Sequence, residues 1–306
     1  MIAVRPSSDP GPVAVLLNPT AGRGRHRDAL PGVLEQLRST GREVTVLPAT
    51  SADEALAACR TAVASGAGAL VAAGGDGTIH LGLQAVAGTG VPFGAIPAGT
   101  GNDFVVELGL PGEPLPAAAA IARALREESI RKVDLARMTD AEGNVRWFGA
   151  VLAAGFDAIV NERANRMRFP KGPRRYDVAI VAELLRLRPR PYTLVLDGVE
   201  HHLDAVLVAV GNTACYGGGM RIVPAADPTD GLLDVVVGGR LSRVAFARIK
   251  PHVYRGTHVG HPLVTTYRAA TVELRAEGIV SYVDGERSFP LPVTVTSAPG
   301  ALTLLA

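Results

Sequence analysis

Residues 69–78 read Ala69-Leu70-Val71-Ala72-Ala73-Gly74-Gly75-Asp76-Gly77-Thr78, a short apolar run that meets a glycine-rich turn and passes straight into a helical pattern at 77–86. An apolar run bounded by glycine reads as a buried strand, and the helix behind it makes a strand–helix unit. The same grammar repeats on both sides. Residues 12–17 are a candidate strand, followed by a Gly/Arg loop and a helix near 28–39. A second strand is expected at 43–47 and a further one at 93–96. Ser51-Ala52-Asp53-Glu54 opens a helix running to about residue 65, with Ser51 as N-cap and Glu54 completing a capping box. Strands alternating with helices predict an α/β domain whose parallel sheet is covered on both faces.

After Asp134 the pattern changes. Apolar runs at 145–153, 192–196, 205–210, 232–237, 270–274 and 293–297 are separated by turns, several of them Asp-Gly: Asp197-Gly198, Asp230-Gly231 and Asp284-Gly285. One long helical stretch, 177–187, interrupts them. This grammar predicts a mostly antiparallel β domain, a sandwich. The expected division is 1–135 for a nucleotide-binding α/β domain and 136–306 for the β-sandwich, whose last strand is free to return to the first domain.

Composition narrows the function classes. The 306 residues are 47% hydrophobic and 20% charged, enough for substantial cores, and 31 basic against 29 acidic residues leave a net charge of +2. That balance gives no field for a nucleic-acid partner. No apolar run approaches the roughly 20 residues of a transmembrane helix. Met1-Ile2-Ala3-Val4-Arg5-Pro6-Ser7-Ser8 does not read as a secretory signal. Cys59 and Cys215 are too few for a disulfide framework or an all-cysteine zinc site. The expectation is a cytoplasmic protein, with peripheral contact to the inner face of a membrane and homodimer formation both left open.

Ligands on open α/β sheets bind outside the carboxyl ends of the strands, and three glycine-rich segments fall there: Asn18-Pro19-Thr20-Ala21-Gly22-Arg23-Gly24, Gly74-Gly75-Asp76-Gly77-Thr78 and Pro97-Ala98-Gly99-Thr100-Gly101-Asn102-Asp103. Backbone N–H groups satisfy phosphate oxygens, and glycine allows the close approach this needs. Two of the loops feed helix N-termini, which favour anions. Asp76 and Asp103 beside phosphates call for a divalent cation between them, and Mg²⁺ prefers that oxygen set. One such loop alone is a turn closing a strand–helix unit; three at successive strand ends point to a nucleotide. There is no G-x-x-x-x-G-K-[ST], and Arg27 stands where a dinucleotide fingerprint needs Gly or Ala.

These segments resemble the catalytic domain of the diacylglycerol kinase family of lipid kinases. Gly155-Phe156-Asp157-Ala158, Asn212 with Gly217-Gly218-Gly219, Pro224, Asp230-Gly231-Leu232-Leu233-Asp234-Val235 and Asp284-Gly285-Glu286 follow the family's pattern in order, so the resemblance spans roughly residues 13–300. It implies ATP bound by Asn18, Pro19, Thr20, Ala21, Gly22, Thr50, Gly75, Asp76, Gly77, Thr78, Ile79, His80, Leu81, Thr100 and Asp103. It implies Asp76, Asp103 and Asp134 as the acidic network that organises catalytic Mg²⁺, and Glu286 as the general base on the acceptor hydroxyl. A structural Mg²⁺ at Asp227, Asp230 and the Leu232 carbonyl is implied as well. The acceptor would be diacylglycerol or a related lipid alcohol at a membrane surface. The family usually follows Gly-Gly-Asp-Gly-Thr with a hydrophobic residue and then Asn-Glu; here Ile79 is followed by His80-Leu81.

Other readings stay open. An NAD-kinase-like phosphotransferase shares Gly-Gly-Asp-Gly, and His80-Leu81 motivates a non-catalytic nucleotide- or membrane-binding regulatory module. The segment 162–175 carries Arg163, Arg166, Arg168, Lys171, Arg174 and Arg175 among Met167 and Phe169. It suits either an anionic membrane surface or a solvated loop.

Overall fold

A computed structural model describes residues 10–18, 27–99, 101–167, 169 and 174–306. The chain divides into two compact units, Met1–Val133 with Gly300–Ala306, and Asp134–Pro299.

In the first unit β1 (Val13–Leu17) leads through α1 (Leu30–Arg38) to β2 (Val44–Leu47), and α2 (Ala52–Ala64) carries the chain to β3 (Ala69–Gly74). Then follow α3 (Asp76–Val86), β4 (Pro92–Pro97), the short α4 (Asp103–Glu107) and α5 (Pro114–Glu127). The strands pair in parallel in the order β2-β1-β3-β4, with Val13 opposite both Val44 and Ala69. The order reverses between β1 and β3, so their carboxyl ends flank the topological switch point where such sheets bind ligands.

Every residue of β3 is buried, which is why it lacks the alternation of a one-sided strand. Val71 and Ala73 pack with Val33 and Leu37 of α1 and with Ala117 and Ile121 of α5. Ala72 faces the other way: a Cβ on Gly82 of α3 would lie 3.0 Å from Ala72 Cβ and 2.7 Å from the Phe93 ring. Glycine at 82 therefore lets α3 sit low on the sheet. The capping box of α2 is present, displaced by one residue. Ser51 Oγ accepts from Glu54 N at 3.2 Å, while the Glu54 carboxylate accepts from the N–H and hydroxyl of Thr50 at 2.8 and 2.6 Å. The helix α5 is not among the elements read from the sequence. Pro114 and Pro116 look like loop punctuation, yet proline is at home in a helix's first turn.

The second unit is entered along β5 (Ile130–Asp140), followed by β6 (Val145–Phe148), β7 (Val151–Gly155), α6 (Phe156–Arg166) and α7 (Arg174–Leu185). Next come β8 (Arg190–Leu196), β9 (Val199–Ala205), β10 (Leu207–Gly211), β11 (Leu233–Gly238) and α8 (Arg243–Val253). β12 (Val264–Ala269), β13 (Thr271–Arg275), β14 (Val280–Val283), β15 (Glu286–Pro290) and β16 (Val293–Leu305) complete it. One antiparallel sheet runs β12-β11-β10-β7-β14-β15; against it stands a layer in the order β16-β13-β8-β9. Leu152, Val208, Val210, Val235 and Val283 of the first meet Leu194, Val272, Leu274 and Val295 of the second in one core. The expected sandwich is thus present.

The reverse faces of β10 and β11, through Leu207, Ala209 and Val236, pack with Phe246 and Ile249 of α8. Burial on both faces makes these strands continuously apolar. The single strand expected at 145–153 is broken into β6 and β7. The Asp284 carboxylate accepts from the N–H groups of Gly149 and Ala150 at 3.1 and 2.8 Å, taking them out of the ladder. β16 divides its pairing: Thr296 lies opposite Thr271 of β13, whereas Thr303 lies opposite Pro92 of β4, in parallel.

His258 is 3% exposed, with Nε2 3.0 Å from the Ile222 carbonyl, and burial pulls its pKa below the ordinary 6.5. The unfolded chain therefore takes up this proton at higher pH than the folded one. The histidine's contribution is complete above 6.5 and is lost as pH falls toward the lower folded value. The melting temperature should drop between about pH 7.5 and pH 5.5, and His258→Gln should flatten that slope. Parallel melting curves across this range would refute the assignment.

Candidate active site

Two of the glycine-rich loops, with Asn18, meet at the carboxyl ends of β1, β3 and β4, beside the switch point of the first unit. Asn18, just past β1, donates its N–H to the Ala73 carbonyl at 3.0 Å and its Nδ2 to Thr78 Oγ1 at 3.2 Å. Gly75 caps α3, its carbonyl accepting from the N–H groups of Thr78 and Ile79 at 2.9 and 3.1 Å. Asp76, the first residue of α3, accepts at Oδ2 from the N–H of Asn102 at 2.9 Å. Asn102 holds φ 60°, and its own Oδ1 accepts from Gly99 N at 3.1 Å. A Cβ on Gly99 would lie 2.6 Å from Gly75 Cα, and one on Gly101 would lie 2.8 Å from Asp76 Oδ2. The backbones of the two loops therefore touch, and a side chain at Gly99 would force them apart. Such a glycine cradle at the start of a helix is what phosphate oxygens need.

Not every expected residue lies in this cradle. Ile79 is 2% and His80 6% exposed, so their side chains pack in the interior of the first unit, and Leu81 is half-buried. Thr50 sits at the start of α2, its hydroxyl donated to Glu54. Asp103 opens α4. Pro19, Thr20, Ala21, Gly22 and Thr100 lie outside the described residues, as do Arg168 and Lys171 of the basic segment.

The remaining acids belong to the second unit. Asp134, 5% exposed, accepts at Oδ2 from Gly231 N at 2.8 Å and donates its N–H to the Pro228 carbonyl at 2.8 Å. Asn212, fully buried, donates its Nδ2 to the carbonyls of Asp134 and Gly149, both at 2.9 Å. Asp227 Oδ1 accepts from the N–H and hydroxyl of Thr229, Asp230 Oδ1 from the N–H of Leu232, and Asp230 Oδ2 from the Arg268 guanidinium. Arg268 also stands 3.4 Å from Asp234, whose carboxyl is pushed up by burial against that arginine's pull.

Glu286 opens β15 behind the Asp284-Gly285 turn and is exposed. Its surroundings are fixed. Asp284 is tied to the Gly149 and Ala150 amides, while Arg287 and the Tyr282 hydroxyl donate to Glu162 Oε1 at 2.5 and 3.0 Å. Burial pushes the Glu162 pKa up, but those hydrogen bonds and the charges of Arg287 and Arg166 outweigh it and hold the carboxyl below its ordinary value.

Gly155 explains its place in Gly-Phe-Asp-Ala: φ is 113°, and a Cβ would lie 2.6 Å from the Val206 carbonyl oxygen. Asp157 beside it accepts from the Tyr216 hydroxyl; burial raises the pKa of both groups. Asn102, Asp284, Arg268 and the Asp157–Tyr216 pair are the residues that sequence reasoning left off the site. Asn102 had a signal, the left-handed tolerance of Asn between Gly101 and Asp103; the others need long-range pairing to be seen.

Among the described residues no three His, Cys, Asp or Glu side chains form a metal cage. Mg²⁺ is normally held by one or two carboxylates with water and substrate phosphates, so the oxygen donors of Asp76 and Asp103 at helix starts fit its chemistry without such a cage. The Asp227–Asp230 turn does not fit in the same way. Its described carboxylate contacts are to backbone N–H groups, a hydroxyl and a guanidinium that already supplies positive charge.

Residues 12–138 match the family model of the diacylglycerol kinase catalytic domain, and 150–306 match the YegS C-terminal NAD kinase beta sandwich-like domain. A diacylglycerol kinase of Mycobacterium tuberculosis is 44% identical over 96% of this chain and 95% of its own length; that of Bacillus subtilis is 26% identical over 91% and 90%. The fold is similar to a crystal structure of a diacylglycerol kinase from Bacillus anthracis, with a TM-score of 0.71, 22% identity and 96% of each chain covered. An Archaeoglobus fulgidus NAD kinase in complex with ATP shares it at a TM-score of 0.56 and 16% identity, over 96% of this chain and 93% of the other. By its match to the catalytic-domain model and to relatives along its whole length, this chain belongs to the diacylglycerol kinase family of lipid kinases.

Proposed function

We propose that this kinase transfers the γ-phosphoryl group of ATP to a hydroxyl of diacylglycerol or a related lipid alcohol, with Mg²⁺ on the nucleotide and Glu286 as general base. The observation that carries the nucleotide half is the glycine-to-glycine contact of the Gly75 and Gly99 loops at the carboxyl ends of β3 and β4, closed by the Asp76–Asn102 hydrogen bond. Phosphoryl transfer asks for positioning, charge neutralisation and removal of one proton. Backbone N–H groups at the start of α3 take the phosphates, and Asn18 and Thr78 hold the loops at that spacing. When bound, Mg²⁺ neutralises phosphate charge as a Lewis acid; Asp76 and Asp103 are its proposed ligands, with Asp134 contributing through water.

Glu286 suits a base because its neighbours on both sides are pinned while its own carboxylate makes no hydrogen bond or ion pair to a described residue. It can therefore take the proton of an acceptor hydroxyl within hydrogen-bond reach. A membrane-borne acceptor is supported by Phe169, 84% exposed, and by Val178, Val181 and Leu185 on the outer face of α7. Arg174 lies near them in sequence. Two cations of the basic segment are used internally: Arg163 pairs with Glu183 and Arg166 with Glu162.

Glu286→Gln and Asp76→Asn should each lower kcat by roughly 10²–10⁴-fold with melting temperatures close to wild type. Near-wild-type turnover in both variants would defeat the mechanism. Gly99→Ala should raise the KM for ATP, because the new methyl would stand 2.6 Å from Gly75 Cα and part the loops; an unchanged KM removes the cradle from the nucleotide site. The NAD kinase likeness in fold supplies the competing acceptor. Radiolabel from ATP should enter diacylglycerol or another lipid of a total extract, and its appearance in NAD alone would reverse the choice of acceptor.

A further inference from the structure

We propose a second ligand site in the β-sandwich unit, a cavity that binds an anionic amphiphile with its head group on arginines and its chain along an apolar wall. The cavity, of about 450 Å³, is lined by the apolar residues Phe156 and Ile159 of α6, Leu185 of α7, Leu187 just beyond it, and Val206. Arg186, Arg188, Arg190 and Arg243 line it as well, against a single acid, Glu183. That acid is already engaged by Arg163 and stands 3.9 Å from Arg186. The guanidinium groups of Arg188, Arg190 and Arg243 form no hydrogen bond or ion pair with a described residue.

Three uncompensated guanidinium groups around one cavity are a recognition surface for carboxylate or phosphate, which they bind in a planar, bidentate fashion. Arg243 adds to this: it is the first residue of α8, where a cation opposes the helix dipole. A bound anion relieves both repulsions. A simple anion leaves the apolar wall unexplained, and a neutral lipid leaves the arginines unexplained; one molecule carrying both features accounts for both. The wall is also continuous with a hydrophobic approach. Leu185 ends a stripe of Val178, Val181 and Leu185, exposed by 46, 59 and 64%, at the spacing that puts all three on one face of α7.

The test is calorimetric titration of the full chain, without ATP, using decyl phosphate below its micellar concentration and inorganic phosphate as comparison. Binding alone is measured, so failure here is separate from failure of the kinase reading. Decyl phosphate should bind at least ten-fold more tightly than inorganic phosphate. Affinity should fall at least ten-fold in Arg188→Gln/Arg190→Gln/Arg243→Gln. The single Arg243→Glu variant, which places an acid where the helix dipole favours one, should fold and should also lose affinity. Unchanged decyl phosphate binding in the triple variant and Arg243→Glu would overturn the site. Equal affinity for inorganic phosphate would overturn the amphiphile.

Discussion

The candidate site of the first unit depends on two loops whose backbones are in van der Waals contact. Gly99 approaches Gly75 so closely that a Cβ on Gly99 would lie 2.6 Å from Gly75 Cα, and the Asp76 carboxylate fixes the pair by accepting the Asn102 N–H. A carboxylate beside a future phosphate is electrostatically unfavourable by itself. Here it performs a structural task first, holding a left-handed Asn that in turn grips Gly99. The residue proposed to organise the cation is thus also the one that shapes the loop around it, which ties metal chemistry to local geometry.

A similar economy governs the β-sandwich unit. The Asp284 carboxylate spends its hydrogen bonds on two amides at the β6–β7 break, and this bends the chain where Asn212 reaches in to the Gly149 carbonyl. Asp134 does the same for the Asp230-Gly231 turn by accepting from Gly231. Acids that a motif reading assigns to metal binding are here partly hydrogen-bond acceptors for strained turns. Arg268, facing Asp234 across the β11–β12 ladder, supplies the countercharge. Such a cross-strand pairing is invisible in sequence because its partners come from separate strands.

The legibility of the chain follows from the range of the forces involved. β3 and α3 were readable because a buried parallel strand is a pure apolar run and because Gly74-Gly75 punctuates its end before the helix. The hairpin turns at Asp197-Gly198 and Asp284-Gly285 were readable because both residues of each take positive φ. The helices α6 and α8 were not. Phe156 begins a helix directly from a strand because Gly155 turns the chain at φ 113°. The helix α8 hides behind Pro251, and its burial against β10 and β11 is long-range. Of the candidate site, the glycines with Asp76 and Asp103 could be named from their place at strand ends and Asp134, Asp227, Asp230 and Glu286 through the family resemblance, whereas Asn102 and Arg268 become legible through contacts that only folding creates.

β16 has a consequence for the order in which the molecule matures. β4 receives its outer neighbour from Thr303 and Leu304, residues that come after every other strand of the sandwich. A nascent chain therefore carries the sheet of the first unit with one border unzipped while the sandwich is being made. An open border of that kind is sticky toward other strands. Synthesis of Thr303 and Leu304 closes it, so the parallel sheet of the first unit is completed after the strands of the sandwich have been made.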